Sequence, residues 1–296
     1  RGARRSGLHQ SVERPMNAGG RIPVDGAELA YDEAGSGQPL VLVHGTGADA
    51  STWQRSVVDL ATHYRVIAYD RRGYGRSMHR PVRDYRVHVA DLAAVLEHVG
   101  APLHVLGWSS GGNTALALAA ERPQLFRSLI IIEAPFQGLR RPTGVVAADV
   151  KAKFAQLCGR PEEGAASMYR WLTGLRDGTN GFDALPAAER QRLLAHSRVV
   201  LAEIDPHPFG VLVEYVPLRK IAALPMPVTW LLGAESMPWY RRLHARVVAV
   251  APSIRTEYIA GAGHLMPIEA PEAFVDAVHR AIRMVDEPEF GAPPQG

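Results

Sequence analysis

The sequence predicts an α/β fold: an eight-stranded, mostly parallel sheet with helices on both faces, plus a helical cap. The first observation is that short, wholly apolar runs such as residues 40–43 and 128–132 alternate with longer segments of helical periodicity. Such runs are typical of strands buried on both faces of a parallel sheet. The second observation is that the alternation stops between residues 136 and 224, where helix-like stretches follow one another. We therefore expect a cap inserted between two strands of the sheet.

Local signals predict the individual elements. Asp25-Gly26 between two extended runs predicts a β-hairpin. A helix over residues 84–99 carries apolar residues at helical spacing and ends at Gly100. The predicted strands are residues 22–24, 28–33, 40–43, 64–69, 102–106, 128–132, 228–232 and 256–259. The predicted helices are residues 52–62, 84–99, 113–120, 240–250 and 271–285, with 145–157, 164–175, 187–204 and 209–221 in the cap.

These elements divide the chain into a core of residues 20–135 and 225–285 and a cap of residues 136–224. Residues 1–19 are expected to form a disordered leader, because their basic start is not followed by the apolar segment of a secretory signal. Residues 286–296 are rich in proline and glycine, and we expect a flexible tail there.

Composition excludes several classes of function. Four arginines and one glutamate in residues 1–15 account for the formal net charge of +3, so the rest of the chain is near neutral and gives no sign of nucleic-acid binding. No apolar run approaches the ~18 residues that a membrane span requires. The single cysteine, Cys158, excludes an intrachain disulfide and favours a reducing, cytoplasmic location. No residue pattern predicts a metal site or a phosphate-binding loop.

Residues 107–112, Gly-Trp-Ser-Ser-Gly-Gly, lie between a predicted strand and a predicted helix. A Gly-x-Ser-x-Gly motif in that context predicts a sharp turn that lifts the Ser109 hydroxyl off the edge of the sheet. The small neighbouring residues let the strand and helix backbones approach each other. A serine hydroxyl is a weak nucleophile, so Ser109 requires a histidine base and an orienting carboxylate. The alternative is a Gly/Ser-rich turn without chemistry.

His264 is the predicted base, because it follows the last predicted strand in a glycine-flanked loop at the carboxyl edge of the sheet. Other histidines, such as His88 and His98, lie in predicted helices and are expected to be structural or exposed. An acyl-transfer site also requires two backbone N–H groups for the developing oxyanion. The predicted donors are the amides of Ser110 and of Thr46, the latter in the Gly-containing loop after residues 40–43.

Taken in order, these motifs resemble those of α/β-hydrolase-fold enzymes. The matching features are His44-Gly45, the turn at residues 70–77, the sharp turn at residues 107–111 that carries Ser109 (called the elbow below) and Gly263-His264. The resemblance covers roughly residues 20–285 and implies the α/β-hydrolase fold with a serine nucleophile. Haloalkane dehalogenases and epoxide hydrolases of this fold use an aspartate in that position, so their reactions are not expected here.

The acid of the triad departs from the usual pattern of the family. Most members carry an aspartate after the seventh strand, in a Gly-x-x-Asp pattern that here ends in Ser236. A serine cannot balance the charge of an imidazolium. Glu133, at the end of the sixth predicted strand, is the predicted acid, and Glu235 is the alternative. Some subfamilies place the acid after the sixth strand, among them the lactonases that open the macrocycle of zearalenone.

The sequence therefore predicts a serine hydrolase that cleaves a carboxylic ester or lactone of a hydrophobic small molecule through an acyl-enzyme. A zearalenone-type macrolactone is one specific candidate. Aromatic side chains in the cap favour a hydrophobic substrate of medium size, although packing within the cap explains them equally well. The candidate substrate-binding residues flank the elbow, the cap, and the loops of the acid and the base; they are Trp108, Phe136, Trp171, Met237 and Met266.

Two other classes of function stay open. The same triad can serve C–C bond hydrolysis, acyl transfer or cofactor-free perhydrolysis, and the fold can also serve as a non-enzymatic ligand receptor. The expected chemistry requires no cofactor and no metal. The expected partner is the small-molecule ester or lactone, with no nucleic acid and no membrane span, and the chain is expected to be a monomer or a homodimer.

Overall fold

The computed structural model describes residues 16–77, 82, 84–135, 143–204 and 216–287. Eight strands form one sheet in the order β1-β2-β4-β3-β5-β6-β7-β8. The strands are β1 (Asn17–Val24), β2 (Ala27–Ala34), β3 (Gln38–Val43), β4 (Tyr64–Tyr69), β5 (Leu103–Trp108), β6 (Phe126–Ile132), β7 (Val228–Gly233) and β8 (Arg255–Ile259). Strand β2 pairs antiparallel with β1 and β4, and the other neighbours are parallel. The predicted eight-stranded, mostly parallel sheet is confirmed.

Two hydrophobic cores lie on the two faces of the sheet. Along β3, Leu40 and Leu42 belong to one core, and Val41 and Val43 belong to the other, as the alternation of side chains along a strand requires. Helices α1 (Gln54–Leu60) and α12 (Pro271–Asp286) cover the first face. Helices α2 (Tyr85–Val99), α3 (Ser110–Glu121) and α10 (Pro238–Val250) cover the second. This double burial explains why the central strands read as continuous apolar runs.

The ordered core begins earlier than residue 20. Strand β1 starts at Asn17 and pairs with β2 from Asn17 opposite Glu33 to Val24 opposite Ala27. The sequence missed this start because residues 17–20 are Asn-Ala-Gly-Gly, without apolar alternation, at the edge of the sheet. Backbone pairing with β2 holds them instead. The rest of the predicted leader, residues 1–15, lies outside the described part of the chain.

The segment between β6 and β7 is helical where it is described. Its helices are α4 (Thr143–Leu157), α5 (Pro161–Leu172), α6 (Gly181–Ala184), α7 (Ala187–Ala195), α8 (Ser197–Ile204) and α9 (Leu218–Ala222). The single helix predicted over residues 187–204 is divided at His196, whose ring accepts the Gly75 amide at 3.2 Å. Residues 205–215, and with them most of the helix predicted at 209–221, lie outside the described residues. The cap boundaries at 136 and 224 stay predictions.

Candidate active site

The predicted nucleophile lies on a strained turn between β5 and α3. Ser109 has φ 54° and ψ −122°, a conformation that costs a residue with a side chain about 1–3 kcal/mol. The surrounding hydrogen bonds fix it: the Ser109 amide donates to Ile132 O at 2.8 Å, and the Asn113 amide donates to Ser109 O at 3.1 Å. Ser109 therefore lies on a sharp strand-to-helix turn, as the Gly-x-Ser-x-Gly motif predicts.

Glycines make the elbow compact. A Cβ on Gly107 would lie 2.7 Å from Gly112 Cα, and a Cβ on Gly111 would lie 2.5 Å from the carbonyl oxygens of Val43 and His44. Real side chains do not tolerate such distances to backbone atoms, so these positions require glycine. The close approach brings the start of α3 against the loop that follows β3.

His264 is held by contacts on three sides. Its Nδ1 lies 2.8 Å from Glu133 Oε2, and its backbone oxygen accepts the Trp108 indole N–H at 2.9 Å. The Tyr240 ring stacks on the imidazole with centroids 4.6 Å apart and an interplanar angle of 10°. Because Nδ1 faces the carboxylate, Nε2 is the nitrogen left to accept a proton from Ser109.

Glu133, which directly follows β6, is buried and uses both carboxylate oxygens. Oε2 faces His264, while Oε1 accepts the Gly233 amide at 2.9 Å and the Ser236 hydroxyl at 2.5 Å. Burial, followed by the negative charge of Glu133, raises the pKa of the Tyr240 phenol well above its usual value. The structure thus joins Glu133, after β6, to His264, after β8. Ser109, after β5, lies next to them through the backbone bond to Ile132 and the bond from Trp108 to His264.

Ser236 contacts Glu133 and Tyr240 contacts His264, and the sequence predicted neither contact. Ser236 occupies the usual position of the acid and was predicted only to leave it vacant, yet it donates to the acid that replaces it. The alternative acid, Glu235, faces away: its Oε2 lies 2.5 Å from Arg176 Nε, at a partly exposed position. The one signal in the sequence for this role is that the usual position of the acid holds a polar residue, serine, instead of an apolar one.

The two residues whose amides are the predicted oxyanion donors lie side by side. Ser110 is the first residue of α3, where backbone N–H groups lack intrahelical acceptors. The Thr46 and Ser110 hydroxyl oxygens are 2.8 Å apart. The Thr46 loop is fixed by His44, whose Nδ1 donates to Gly45 O at 2.8 Å and whose Nε2 accepts the Arg71 amide at 2.9 Å. Burial, followed by the charge of Arg71, lowers the pKa of His44 to about 3 and keeps the ring neutral.

The predicted substrate-binding residues separate into three groups. Trp171 and Met237 line a cavity of about 900 Å³ between α4 and α5. Trp108 and Met266 are buried in a hydrophobic core, and Trp108 serves as the donor to His264. Phe136 lies outside the described residues.

The described residues contain no group of three or more histidine, cysteine, aspartate or glutamate side chains placed to hold a metal ion. Within the same ranges, no helix combines the length and the apolar character that crossing a membrane would require.

Comparison with known proteins gives consistent matches. A pimeloyl-(acyl-carrier protein) methyl ester esterase of Vibrio campbellii is 30% identical over 213 residues, covering 69% of this chain and 79% of that protein. The 2-hydroxy-6-oxo-6-(2'-aminophenyl)hexa-2,4-dienoic acid hydrolase of Metapseudomonas resinovorans is 36% identical over 128 residues, which span only 42% of its length and 41% of this chain.

Among solved structures, the carboxylesterase CesB of Bacillus subtilis superposes with a TM-score of 0.75 at 17% identity, covering 90% of this chain and 91% of that one. This likeness supports the fold. The model of the alpha/beta hydrolase family matches residues 40–277, which include the elbow, Glu133 and His264. The chain therefore belongs to the alpha/beta hydrolase family.

Proposed function

We propose that the protein is a serine hydrolase that cleaves a carboxylic ester or lactone of a hydrophobic small molecule through an acyl-enzyme. The observation that carries the proposal is the buried Glu133–His264 hydrogen bond of 2.8 Å beside the strained Ser109 turn. A carboxylate on Nδ1 sets the tautomer of the imidazole and stabilises the imidazolium that forms during acyl transfer.

In the proposed mechanism, Ser109 Oγ attacks the carbonyl carbon while His264 Nε2 takes its proton. The amides of Ser110 and Thr46 donate to the oxyanion of the tetrahedral intermediate. His264 then gives the proton to the departing alcohol oxygen. A water molecule, deprotonated by the same nitrogen, attacks the acyl-enzyme, and collapse of the second intermediate returns the serine hydroxyl and releases the acid.

The substrate class rests on a cavity next to the site: its lining includes Met237, which follows Ser236 in the chain, but none of Ser109, Glu133 and His264. The apolar members of the cavity lining, among them Trp171 and Met237, suit an apolar part of the substrate. Two proteins similar to this one are named as esterases, one by sequence and one by structure. A zearalenone-type macrolactone is the specific candidate, because the acid lies after the sixth strand, as in the lactonases that the sequence resembles.

C–C bond hydrolysis is the second candidate. The relative that is 36% identical over 128 residues is named as the hydrolase of a hexadienoic acid. The same Ser109, Glu133 and His264 would serve that reaction. To distinguish the candidates, turnover is measured with a panel of substrates that contains esters, macrolactones and a vinylogous diketone acid. A ligand receptor without turnover would hydrolyse none of them.

Ser109→Ala tests the proposal. We expect it to lower kcat for p-nitrophenyl esters by at least about 10³-fold, because the remaining groups cannot supply a nucleophile. A fluorophosphonate probe should label the wild type at Ser109, identified by peptide mass, and leave the variant unlabelled. Ser253→Ala, at an exposed position between α10 and β8, is the matched control and should keep wild-type turnover.

Full turnover by Ser109→Ala would contradict the proposal. Negligible wild-type turnover of every compound in the panel, together with tight ligand binding that Ser109→Ala leaves unchanged, would favour the receptor.

A further inference from the structure

A buried ion pair that the proposed mechanism does not use lies against the predicted oxyanion hole. Arg71, in the turn after β4, and Glu203, in α8, approach to 3.5 Å between Nη2 and Oε1. Their side chains are 3% and 6% exposed. Removing two charges from water costs several kcal/mol for each ion, so a pair this deep requires further hydrogen bonds to be stable.

Those hydrogen bonds go to the predicted oxyanion residues. Arg71 Nη1 donates to Ser110 Oγ at 3.0 Å, and Thr46 Oγ1 donates to Glu203 Oε2 at 2.9 Å. A carboxylate only accepts and a threonine hydroxyl has one proton, so Ser110 Oγ must be the donor in its 2.8 Å contact with Thr46 Oγ1. Arg71, Ser110, Thr46 and Glu203 therefore form a closed ring of hydrogen bonds and charge.

The charges in the ring are balanced. Burial raises the pKa of Glu203, but the charge of Arg71 and the hydrogen bond from His88 bring that pKa down to about 2. Burial, followed by the charge of Arg71, lowers the pKa of His88, so its Nε2 donates to Glu203 Oε1 at 3.1 Å as a neutral ring. One anion and one cation thus stand behind the oxyanion site. An unpaired Glu203 would oppose the developing negative charge.

We propose that Glu203 and Arg71 are positioning residues that fix Thr46 and Ser110, so that docking of α8 completes the oxyanion hole. Three members of the ring belong to the part of the chain before β6: Thr46 in the loop after β3, Arg71 in the turn after β4 and Ser110 at the start of α3. The fourth, Glu203, belongs to α8, in the segment between β6 and β7. The inference rests on the proposed acyl-enzyme function. It implies that losing the ring weakens the tetrahedral state more than it weakens substrate binding.

Glu203→Gln is the direct test, because it keeps the size of the side chain and one accepting oxygen while removing the charge. Arg71, left unpaired, would by itself attract the oxyanion, so the expected loss comes from Thr46 and Ser110 no longer being held in place. We expect kcat for a p-nitrophenyl ester to fall about 10- to 100-fold, less than the loss of a whole oxyanion donor, with KM changed less than about threefold. Affinity for a trifluoromethyl ketone, whose adduct with Ser109 places an oxyanion in the hole, should fall by the same factor. Affinity for the isosteric secondary alcohol should not change.

Two further variants make the test specific. Arg192→Ala removes another contact to the core, the 3.2 Å hydrogen bond to Ser51 Oγ, at an exposed position away from the ring, and should behave as wild type. Thr46→Val removes the hydroxyl but keeps the backbone amide and leaves Arg71 and Glu203 paired. It should weaken ketone binding several-fold, and it carries the test if Glu203→Gln does not fold.

Unchanged kcat and unchanged ketone affinity in the folded variants would overturn the proposal, as would a rise in KM alone. A wild type that neither turns over esters nor reacts with a fluorophosphonate would overturn the proposed function and this inference with it. A reactive wild type whose Glu203→Gln variant matches Arg192→Ala would overturn this inference alone.

Discussion

At the scale of single residues, the proposed acid and a serine that donates to it follow two neighbouring strands. Glu133 follows β6, and Ser236 follows β7. Glu133 has φ 40°, which costs energy for a residue with a side chain. Hydrogen bonds from Gly233 and Ser236, together with the contact to His264, offset that cost and leave the carboxylate no freedom to turn away.

Glutamine substitutions distinguish the two candidate acids. Glu133→Gln keeps the shape but places a neutral amide against His264, and we expect kcat for an ester to fall by about 10³- to 10⁴-fold. Glu235→Gln removes only a partly exposed ion pair with Arg176 and should change kcat less than about twofold. Both are measured with the ester that the wild type cleaves best. Loss of activity in Glu235→Gln alone would mean that the acid is wrongly assigned.

The sequence predicts those residues of the candidate site that belong to a short, recognisable motif. Ser109 is the central residue of a Gly-x-Ser-x-Gly motif, and His264 directly follows a glycine in the loop after the last strand. Glu133 could be inferred because a carboxylate directly after four apolar residues is costly unless it has a partner. Arg71 and Glu203 could not be inferred, because their pairing joins positions far apart along the chain and nothing local marks either as buried.

At the scale of elements, the elbow is a contact between three backbones. Strand β5, helix α3 and the loop after β3 meet where Gly107, Gly111 and Gly112 leave no room for a side chain. The glycines of the motif predicted the close approach of the strand and the helix, but not the contact of α3 with the loop after β3. The sequence did not predict the division of α7 from α8 at His196, because the helical periodicity continues across it and the break depends on a contact with Gly75 in another loop.

Gly111→Ala tests the packing of the elbow. Intrinsic propensity favours alanine in a helix, but the new Cβ would lie 2.5 Å from two carbonyl oxygens of β3 and its loop. We expect a net loss of about 1–3 kcal/mol in the free energy of unfolding, measured with urea, and a fall in kcat. Gly159→Ala is the control: φ is 73° there but the Cβ would meet no atom within 4 Å, so only about 1 kcal/mol should be lost. Equal stability of Gly111→Ala and wild type would contradict this account.

At the scale of the whole molecule, the order of the strands assembles the site. Strands β3, β5 and β6 are consecutive neighbours in the sheet, so the Thr46 loop, the elbow and Glu133 come to one edge. Periodicity predicted the strands and their burial, but it contains no information on which strand lies beside which. The order of the strands is known only from the structure. Residues 17–19 show the converse, since pairing with β2 makes a strand where local pattern indicates none.

The buried histidines predict how stability depends on pH. His44, with its pKa lowered to about 3, and His88, also lowered, stay neutral in the folded protein, whereas both titrate near 6.5 when unfolded. Below pH 6.5 the unfolded chain therefore binds protons that the folded chain does not, and stability must fall as the pH falls. Well below pH 6.5, His44 alone contributes a slope that approaches about 1.4 kcal/mol per pH unit, and His88 adds to it in the same direction.

Urea unfolding between pH 7.5 and 4.5 measures that slope, with His44→Gln as the comparison. Glutamine can donate to Gly45 O and accept the Arg71 amide, as the neutral ring does, but it has no proton to gain. The variant should be less stable at pH 7.5, yet its free energy of unfolding should decline more slowly, by about one proton or 1.4 kcal/mol per pH unit, between pH 5.5 and 4.5. Parallel pH profiles for the two proteins would show that His44 is not held neutral, and the bond that fixes the Thr46 loop would then need another explanation.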